Sequence, residues 1–529
     1  MNTAFAPEWV RSHADRSPDA PAIATSETRL SYAELADRFA ALAAHLAAGG
    51  VVPGDRVLVA LPNVVASVVA DLAIQSLGAC AVSLGRVWRG EALGQIVART
   101  RARHAFVDGR ALALWRDIAP RYDLRLWIVE SAGSPPGVGA SQLGAMIAGA
   151  LCADGTVRSG SEPDRLPPYP HRPSDPAMIL YTSGSTGEPR GVVQTWRNID
   201  ANTRSIAWSL DLTAEDRAML VLPLSYCYGR SVLQTHLFEG GSVFMDDRFM
   251  YPRVVLEAIA EEACTGFAGV PATFEIVKGQ VDMSSLRSLP SLRYLTQAGG
   301  AMASETIAWV RRAFHPARLF VMYGQTEATA RLSYLPPERA SDKEGSIGIA
   351  VPGVELRVLD ATGALAAPGV VGDLVARGDN VTPGYLDDAV ETARILRDGW
   401  LWTGDLAWRD DEGFFFHAGR TKDILKIAGH RVSPIEIEMA LQRHPEVAEA
   451  AVVGAGQDFA GDVARAYVVR RAGSHLSDEM LRRFCVEHLA PFKVPKTISF
   501  VDALPRSDSG KLLRAHVADA EPQSVASGT

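Results

Sequence analysis

The sequence predicts an α/β protein, with a large N-terminal α/β domain of several subdomains followed by a small α+β C-terminal domain. Helix and strand patterns alternate through roughly the first 400 residues, which argues for α/β layering over a bundle or sandwich. After Phe414-Phe415-Phe416-His417 the pattern breaks at Gly419, where a polar segment precedes a compact unit. The full length of 529 residues accommodates several domain-sized units. These observations set the expected boundaries: a core over 1–418, a connecting segment over 419–423, a C-terminal domain over 424–517, and a small polar tail over 518–529, expected to be disordered.

Taken in order, Ser31-x-x-Glu34 is a capping box, and Leu35, Phe39, Leu42 and Leu46 follow at helical spacing on one face. That pattern opens an amphipathic helix packed on a sheet. The stretch 131–176 is rich in Gly, Pro and Ser, interrupted by an apolar run near Leu143 to Leu151, and reads as a connector. It leads to Ala177-Met178-Ile179-Leu180, an apolar run short enough to be a buried strand. Later runs at Ala218–Leu222, Leu292–Leu295 and Leu319–Met322 also read as strands. Polar and glycine-containing segments follow them, at the C-terminal strand ends where open α/β sheets bind ligands. Ser433-Pro434-x-Glu436 is a second capping box, with proline at the first helical position of a helix running through Leu441 and Glu436 as the cap.

Bulk composition narrows the function. Net charge is −8 with 22% charged residues and no block of like charges, so no nucleic-acid or anionic-membrane surface is expected. An anionic ligand has to be met locally. The five cysteines are scattered and form no C-x2-C pair, as expected of reduced, mostly buried thiols. The twelve histidines form no H-E-x-x-H pattern. Met1 to Arg16 lacks an apolar h-region, and no apolar run reaches about 18 residues, so a cytoplasmic protein without a membrane span is expected. Oligomeric state leaves no signal in the sequence.

The segment that carries chemistry is Tyr181-Thr182-Ser183-Gly184-Ser185-Thr186-Gly187-Glu188-Pro189-Arg190-Gly191-Val192. Glycines let the backbone turn its N–H groups toward an anion, the hydroxyls add donors, and Arg190 adds charge, so the loop is suited to a polyphosphate. Its spacing is not that of the Gly-x4-Gly-Lys-Ser/Thr loop. The dinucleotide fingerprint also fails, because after Gly137-Val138-Gly139 the third glycine is replaced by Gln142.

Four further stretches follow in order: Tyr323-Gly324-Gln325-Thr326-Glu327; Trp402-Thr403-Gly404-Asp405; Gly419-Arg420-Thr421-Lys422-Asp423 running on to Gly429-His430-Arg431; and Pro505-Arg506-Ser507-Asp508-Ser509-Gly510-Lys511. Together with the loop they resemble the signatures of the adenylate-forming superfamily, which includes acyl- and aryl-CoA ligases, adenylation domains and luciferase. The resemblance implies ATP-dependent activation of a carboxylic acid as an acyl-adenylate, with release of pyrophosphate and transfer to a thiol, with Mg²⁺ as metal. CoA is the favoured acceptor; a stand-alone enzyme serving a carrier-protein phosphopantetheine or another nucleophile is the alternative, and a non-catalytic nucleotide-binding relative is disfavoured by Glu327, Asp405 and Lys511.

The resemblance also assigns roles. Thr182, Ser183, Gly184, Ser185, Thr186, Gly187 and Arg190 would hold the β- and γ-phosphates. Thr326 would contact the α-phosphate and Glu327 would bind Mg²⁺. Tyr323, with Gly324 and Gln325, would flank the adenine, Gly299, Gly300 and Ala301 would complete the nucleotide site, and Asp405 would accept from the ribose hydroxyls with Arg420 assisting. Lys511, which alone would be an ordinary exposed lysine, would enter the site from a mobile C-terminal domain, with Lys422 as hinge.

The sequence departs from that pattern in two places. The loop ends Pro189-Arg190-Gly191 where relatives usually carry Pro-Lys-Gly, which keeps charge and changes geometry. Ser225 and Tyr226 replace a common Phe-His, and Cys227 stands where amino-acid-activating relatives place aspartate, which disfavours an α-amino acid. With Tyr226, Cys227 and Tyr228 on one wall of the acid pocket and Gln297, Ala298 and Gly299 on the other, an aryl or small polar acid is expected.

Overall fold

The structure, a computed structural model, describes residues 5–130, 147–158, 164, 166–183, 188–427, 430–458, 461–471, 473–506 and 512–519. It is a mixed α/β protein with a large N-terminal part and a small C-terminal domain. The expected first helix forms at Tyr32–Ala48, and both halves of the Ser31/Glu34 capping box are made. Leu35, Phe39, Leu42 and Leu46 are completely buried. At about 1.5–3 kcal/mol per fully buried large apolar side chain, that stripe fixes the helix against the core.

Two large sheets organise the N-terminal part. In one, the strands Tyr294–Gln297 and Arg318–Tyr323 run parallel to Gly266–Gly269 and Arg217–Leu220. The antiparallel strands Ser333–Leu335, Ser346–Ala350, Phe415–Arg420 and Trp400–Arg409 continue this sheet on one side. In the other, Arg56–Ala60, Cys80–Ser83 and Pro176–Ser183 lie parallel in adjacent positions. The three sequence-predicted strands of the first sheet thus appear, and Gln297 and Tyr323 terminate two of them at their C-terminal ends.

Three local expectations are revised. The connector contains a strand, Ile147–Cys152, which pairs in parallel with Arg125–Glu130 and ends the second sheet. The segments flanking the glycine-rich loop pair as strands: Pro189–Thr195 runs antiparallel to Pro176–Ser183, with Thr182 opposite Arg190. Between Ser433 and Glu436 no capping box is closed. The helix does begin at Pro434, but Ser433 makes no side-chain cap and Glu436 instead accepts from Lys493 Nζ at 2.5 Å.

The C-terminal domain is a five-stranded sheet, with Pro434–Gln442 and Asp478–His488 as helices and Val432, Ile437, Leu441 and Leu481 in its own apolar core. Phe415–Arg420 is continuous strand across the expected domain boundary. Val517 is fully buried, so order extends to the last of the described residues near the tail, and 520–529 lie outside them. No helix among the described residues is long and apolar enough to cross a membrane.

Candidate active site

The site residues gather where the parallel strands of the first sheet end. Gly324 has to be glycine: a Cβ there would sit 1.9 Å from the Ala330 carbonyl oxygen. This close approach folds Gln325 to Leu332 back over the strand end, with Thr326–Ala328 as a single 3-10 turn. Gln194 Nε2 donates to the carbonyls of Thr326 and Thr329 at 3.3 and 3.2 Å, tying the turn to the hairpin that carries Arg190.

Asp405, on Trp400–Arg409, lies directly across from Arg420 on the neighbouring antiparallel strand. Its carboxylate is buried and receives Tyr323 Oη at 2.6 Å and Arg420 Nε at 3.0 Å, with His417 Nε2 at 3.5 Å. Burial alone would push this carboxyl up; the hydrogen bond from His417, the Arg420 charge and the Tyr323 hydroxyl outweigh it and hold the pKa down at about 2. Burial, reinforced by Asp405, keeps the Tyr323 hydroxyl protonated as a donor. Three residues assigned to adenine and ribose are therefore one hydrogen-bonded unit.

This unit has a stability signature. Its folded pKa lies below the unfolded value near ~3.9, so the contribution is complete above that value and is lost as pH falls through the folded pKa. The wild type is expected to lose on the order of 2 kcal/mol between about pH 4 and pH 2 from this group. Asp405→Asn should remove that acid-sensitive segment from urea-unfolding free energies measured across the range; an unchanged slope would contradict the assignment.

Glu327 is partly buried and its Oε1 accepts from Tyr385 Oη at 2.8 Å. Among the described residues no group of three or more metal-ligating side chains exists. A single carboxylate beside a polyphosphate loop fits Mg²⁺, which takes one or two carboxylates and completes its octahedron with phosphate oxygens and water.

Arg190 is not free in the structure: Nη1 pairs with Glu391 Oε2 at 2.9 Å and its guanidinium lies 5.8 Å from the Tyr385 ring centre. Both partners are largely buried, at 14% and 16% side-chain exposure, so the pair is more than a screened surface contact. Tyr385 thereby touches both the candidate metal ligand and the loop cation. Arg190→Lys is expected to give near-wild-type activity, since the charge and reach survive, whereas Arg190→Ala should raise the KM for ATP. A Lys variant as impaired as Ala in initial-rate assays would give the planar guanidinium a task of its own.

At the end of the neighbouring strand Tyr294–Gln297, Gly299 has φ +88°, and a Cβ there would lie 2.5 Å from Tyr226 Oη, so the two expected walls meet at this point. Gln297 is buried and donates to the Gly300 carbonyl at 2.8 Å, holding the turn that exposes Gly300 and Ala301. Ala298 is buried behind it. Tyr226 and Tyr228 pack edge to face at 6.2 Å, and Tyr228 Oη shares a hydrogen bond with Thr296 Oγ1 at 2.7 Å. Tyr228 is 1% exposed, so it backs the wall while Tyr226 fronts it. Cys227 Sγ lies 3.5 Å from Thr326 Oγ1, joining the pocket wall to the turn before Glu327.

The structure thus brings together Thr182, Arg190, Tyr323 to Glu327, Asp405 and Arg420. Gly184 to Gly187 and Lys511 lie outside the described residues, as does the Ser183 side chain. Sequence reasoning missed Tyr385, Glu391 and His417. The Gly384-Tyr385 dipeptide was the available signal for the first of them.

Comparison with known proteins agrees with this geometry. The AMP-binding enzyme family model matches residues 10–386, and the AMP-binding enzyme C-terminal domain matches 436–511. The chain is 33% identical over 518 residues to a feruloyl-CoA synthase of Amycolatopsis sp, covering 96% of this chain and 97% of that protein. Among solved structures it is similar to o-succinylbenzoate CoA synthetase from Bacillus subtilis in complex with the acyl-adenylate intermediate OSB-AMP, with TM-score 0.82, 27% identity and 98% and 99% of the two chains covered. It is also similar to an amide bond synthetase from Marinactinospora thermotolerans, with TM-score 0.85, 25% identity and 97% and 99% coverage.

Proposed function

Because this chain belongs to the AMP-binding enzyme family, we propose that it activates a small carboxylic acid of aryl or polar-substituted type and passes it to the thiol of CoA. It is an AMP-forming acid–thiol ligase of the acyl-CoA synthetase kind, using ATP, Mg²⁺ and CoA. A carboxylate oxygen attacks the α-phosphorus of ATP and the bond to pyrophosphate breaks. The CoA thiolate then attacks the acyl carbon and AMP leaves.

Such nucleotidyl transfer needs positioning and charge neutralisation more than covalent help from the protein. Arg190 and the hydroxyls of the hairpin hold the terminal phosphates, with Arg190 exchanging Glu391 for the incoming anion. Glu327 would hold Mg²⁺, which supplies positive charge beside the phosphates when bound. Asp405, kept ionised by Arg420 and His417, accepts from the ribose hydroxyls. The observation that carries the reading is the hydrogen bonding that ties the Arg190 hairpin strand to the Thr326–Glu327 turn and joins Asp405 to Tyr323 and Arg420 just before that turn.

Two features support the acid class and the compartment. Cys227 places a thiol where an α-ammonium group would need a carboxylate, and Tyr226 gives the wall an aromatic face, while the Gln297 amide is spent on the Gly300 carbonyl. The described cysteines are unbridged, consistent with reducing cytoplasm. The similarity to an amide bond synthetase favours testing amines as second acceptors. The deciding experiment is pyrophosphate release across a panel of carboxylic acids, with and without CoA, a phosphopantetheinylated carrier protein or an amine. Release with acid alone and thioester only with CoA supports the reading; thioester only on the carrier protein overturns the acceptor, and no release with any acid overturns the activity.

A further inference from the structure

Arg190 has two claimants: the terminal phosphates assigned to it and a carboxylate of the protein itself. Its Nη1 pairs with Glu391 Oε2 at 2.9 Å, and the two side chains are only 14% and 16% exposed. A pair buried to that degree is weakly screened by salt, and a guanidinium that shares its charge with a carboxylate pulls less on any second anion.

The segment carrying Glu391 is docked on the strand that carries Arg190. Gly384-Tyr385 pairs antiparallel with Val192 and Val193 of Pro189–Thr195, and the Leu386 N–H donates to the Gly191 carbonyl at 2.7 Å. The short helix Ala389–Ile395 follows at once. Asp388 caps it by accepting from the Glu391 N–H at 3.0 Å, and Thr392 Oγ1 accepts from the Tyr385 N–H at 2.9 Å. The backbone of Glu391 is therefore fixed beside Arg190.

The pair is also built to part. Glu391 Oε1 accepts from Arg394 Nη1, so the carboxylate keeps a cationic partner when Arg190 is drawn to another anion. The Tyr385 ring, its centre 5.8 Å from the Arg190 guanidinium, gives that cation a support besides Glu391. Exchange of Glu391 for a phosphate strands neither charge, which avoids the usual cost of breaking a buried ion pair.

We propose that Glu391 is an internal competitor of the terminal phosphates for Arg190, limiting the grip on ATP before the reaction and on pyrophosphate after it. This rests on the placement of the β- and γ-phosphates at Arg190 argued above and adds a control on that same site. An anion that has to displace Glu391 binds with its intrinsic affinity scaled by the fraction of Arg190 left unpaired. The competition that weakens ATP binding also lets pyrophosphate go, and product release limits turnover in many enzymes. AMP has no phosphate to place at Arg190 and does not feel the competition.

The test is calorimetric titration of Mg²⁺-ATP, Mg²⁺-pyrophosphate and AMP, without acid, into wild type, Glu391→Gln, Arg190→Ala and the double variant. Glu391→Gln is expected to tighten ATP and pyrophosphate by ~5-fold or more while leaving AMP unchanged, and to lose most of that effect in the Arg190→Ala background. Equal tightening with and without Arg190, or tightening of AMP as well, would reveal a general charge effect and overturn the proposal. Unchanged or weakened ATP affinity in Glu391→Gln would overturn it too. AMP binding reports whether each variant is folded; if Glu391→Gln does not bind AMP, Glu391→Asp, which withdraws the carboxylate by one methylene, is read in its place and should shift ATP in the same direction. An ATP loss in Arg190→Ala with no gain in Glu391→Gln leaves the phosphate placement standing without the competitor. ATP and pyrophosphate affinities untouched by Arg190→Ala take both down.

Discussion

Replacing Lys511 with alanine is expected to slow adenylate formation by ~10² to 10³ while leaving ATP binding largely intact. The proposed reaction brings two anions together, a carboxylate and a triphosphate, and repulsion between them peaks as the new oxygen–phosphorus bond forms. On the proposed reading, Arg190 and a Mg²⁺ held by Glu327 would serve the terminal phosphates. Neither stands between the acid and the α-phosphorus, so one more mobile cation is required there. Lys511, preceded in sequence by Ser509-Gly510, is the last residue matched by the family's C-terminal domain. A compact point charge on a flexible stem suits contact made only as charge develops, which lowers kcat and kcat/KM together when removed. Burst measurements of pyrophosphate release, with ATP affinity from equilibrium titration, separate the two terms. A loss below tenfold, or a loss confined to ATP affinity, would count against the role; capture of synthetic acyl-adenylate by CoA should be far less affected.

How much of this was readable from residues alone depends on the range of the interaction. The buried strands ending at Gln297 and Tyr323 were legible because short apolar runs followed by glycine signal a strand end. The helix at Tyr32–Ala48 was legible because capping and periodicity agree. The Asp405 unit was assigned only residue by residue through resemblance. Its hydrogen bonding joins positions 82 residues apart, Tyr323 and Asp405, through sheet pairing that no local pattern encodes. Glu391 was invisible for the same reason, since its pairing with Arg190 depends on how Gly384-Tyr385 docks on the hairpin edge. The failed cap at Ser433 has a different cause. Glu436 had two partners available, its own helix start and Lys493 from a later segment, and the distant ammonium won. Charge-assisted pairing competing with a local cap is a tertiary override of a local signal.

Lys422→Pro is expected to spare pyrophosphate release in the first half-reaction and to slow thioester formation from preformed adenylate by about tenfold or more. On the proposed reading, Lys511 placed in the site for adenylation would block the approach of a pantetheine arm, so the small domain would have to present a second face for thiol transfer. The rotation has to occur where the chain leaves Phe415–Arg420, and the turn there is simply built: Thr421 N–H donates to the Gly404 carbonyl and Asp423 N–H to the Arg420 carbonyl, each at 3.0 Å. Arg514 reaches both Asp423 and Glu438, so the turn's far side belongs to the C-terminal domain. The Arg471–Glu305 ion pair between the small domain and the N-terminal part is at least one-third exposed on both sides, the kind of contact that contributes little and releases easily. Proline at 422 fixes φ near −65° and restricts Thr421, so one orientation is retained and the exchange is blocked. Equal losses in both half-reactions, accompanied by a lowered melting temperature, would indicate a destabilised fold; equal losses with unchanged melting would mean that one orientation serves both steps.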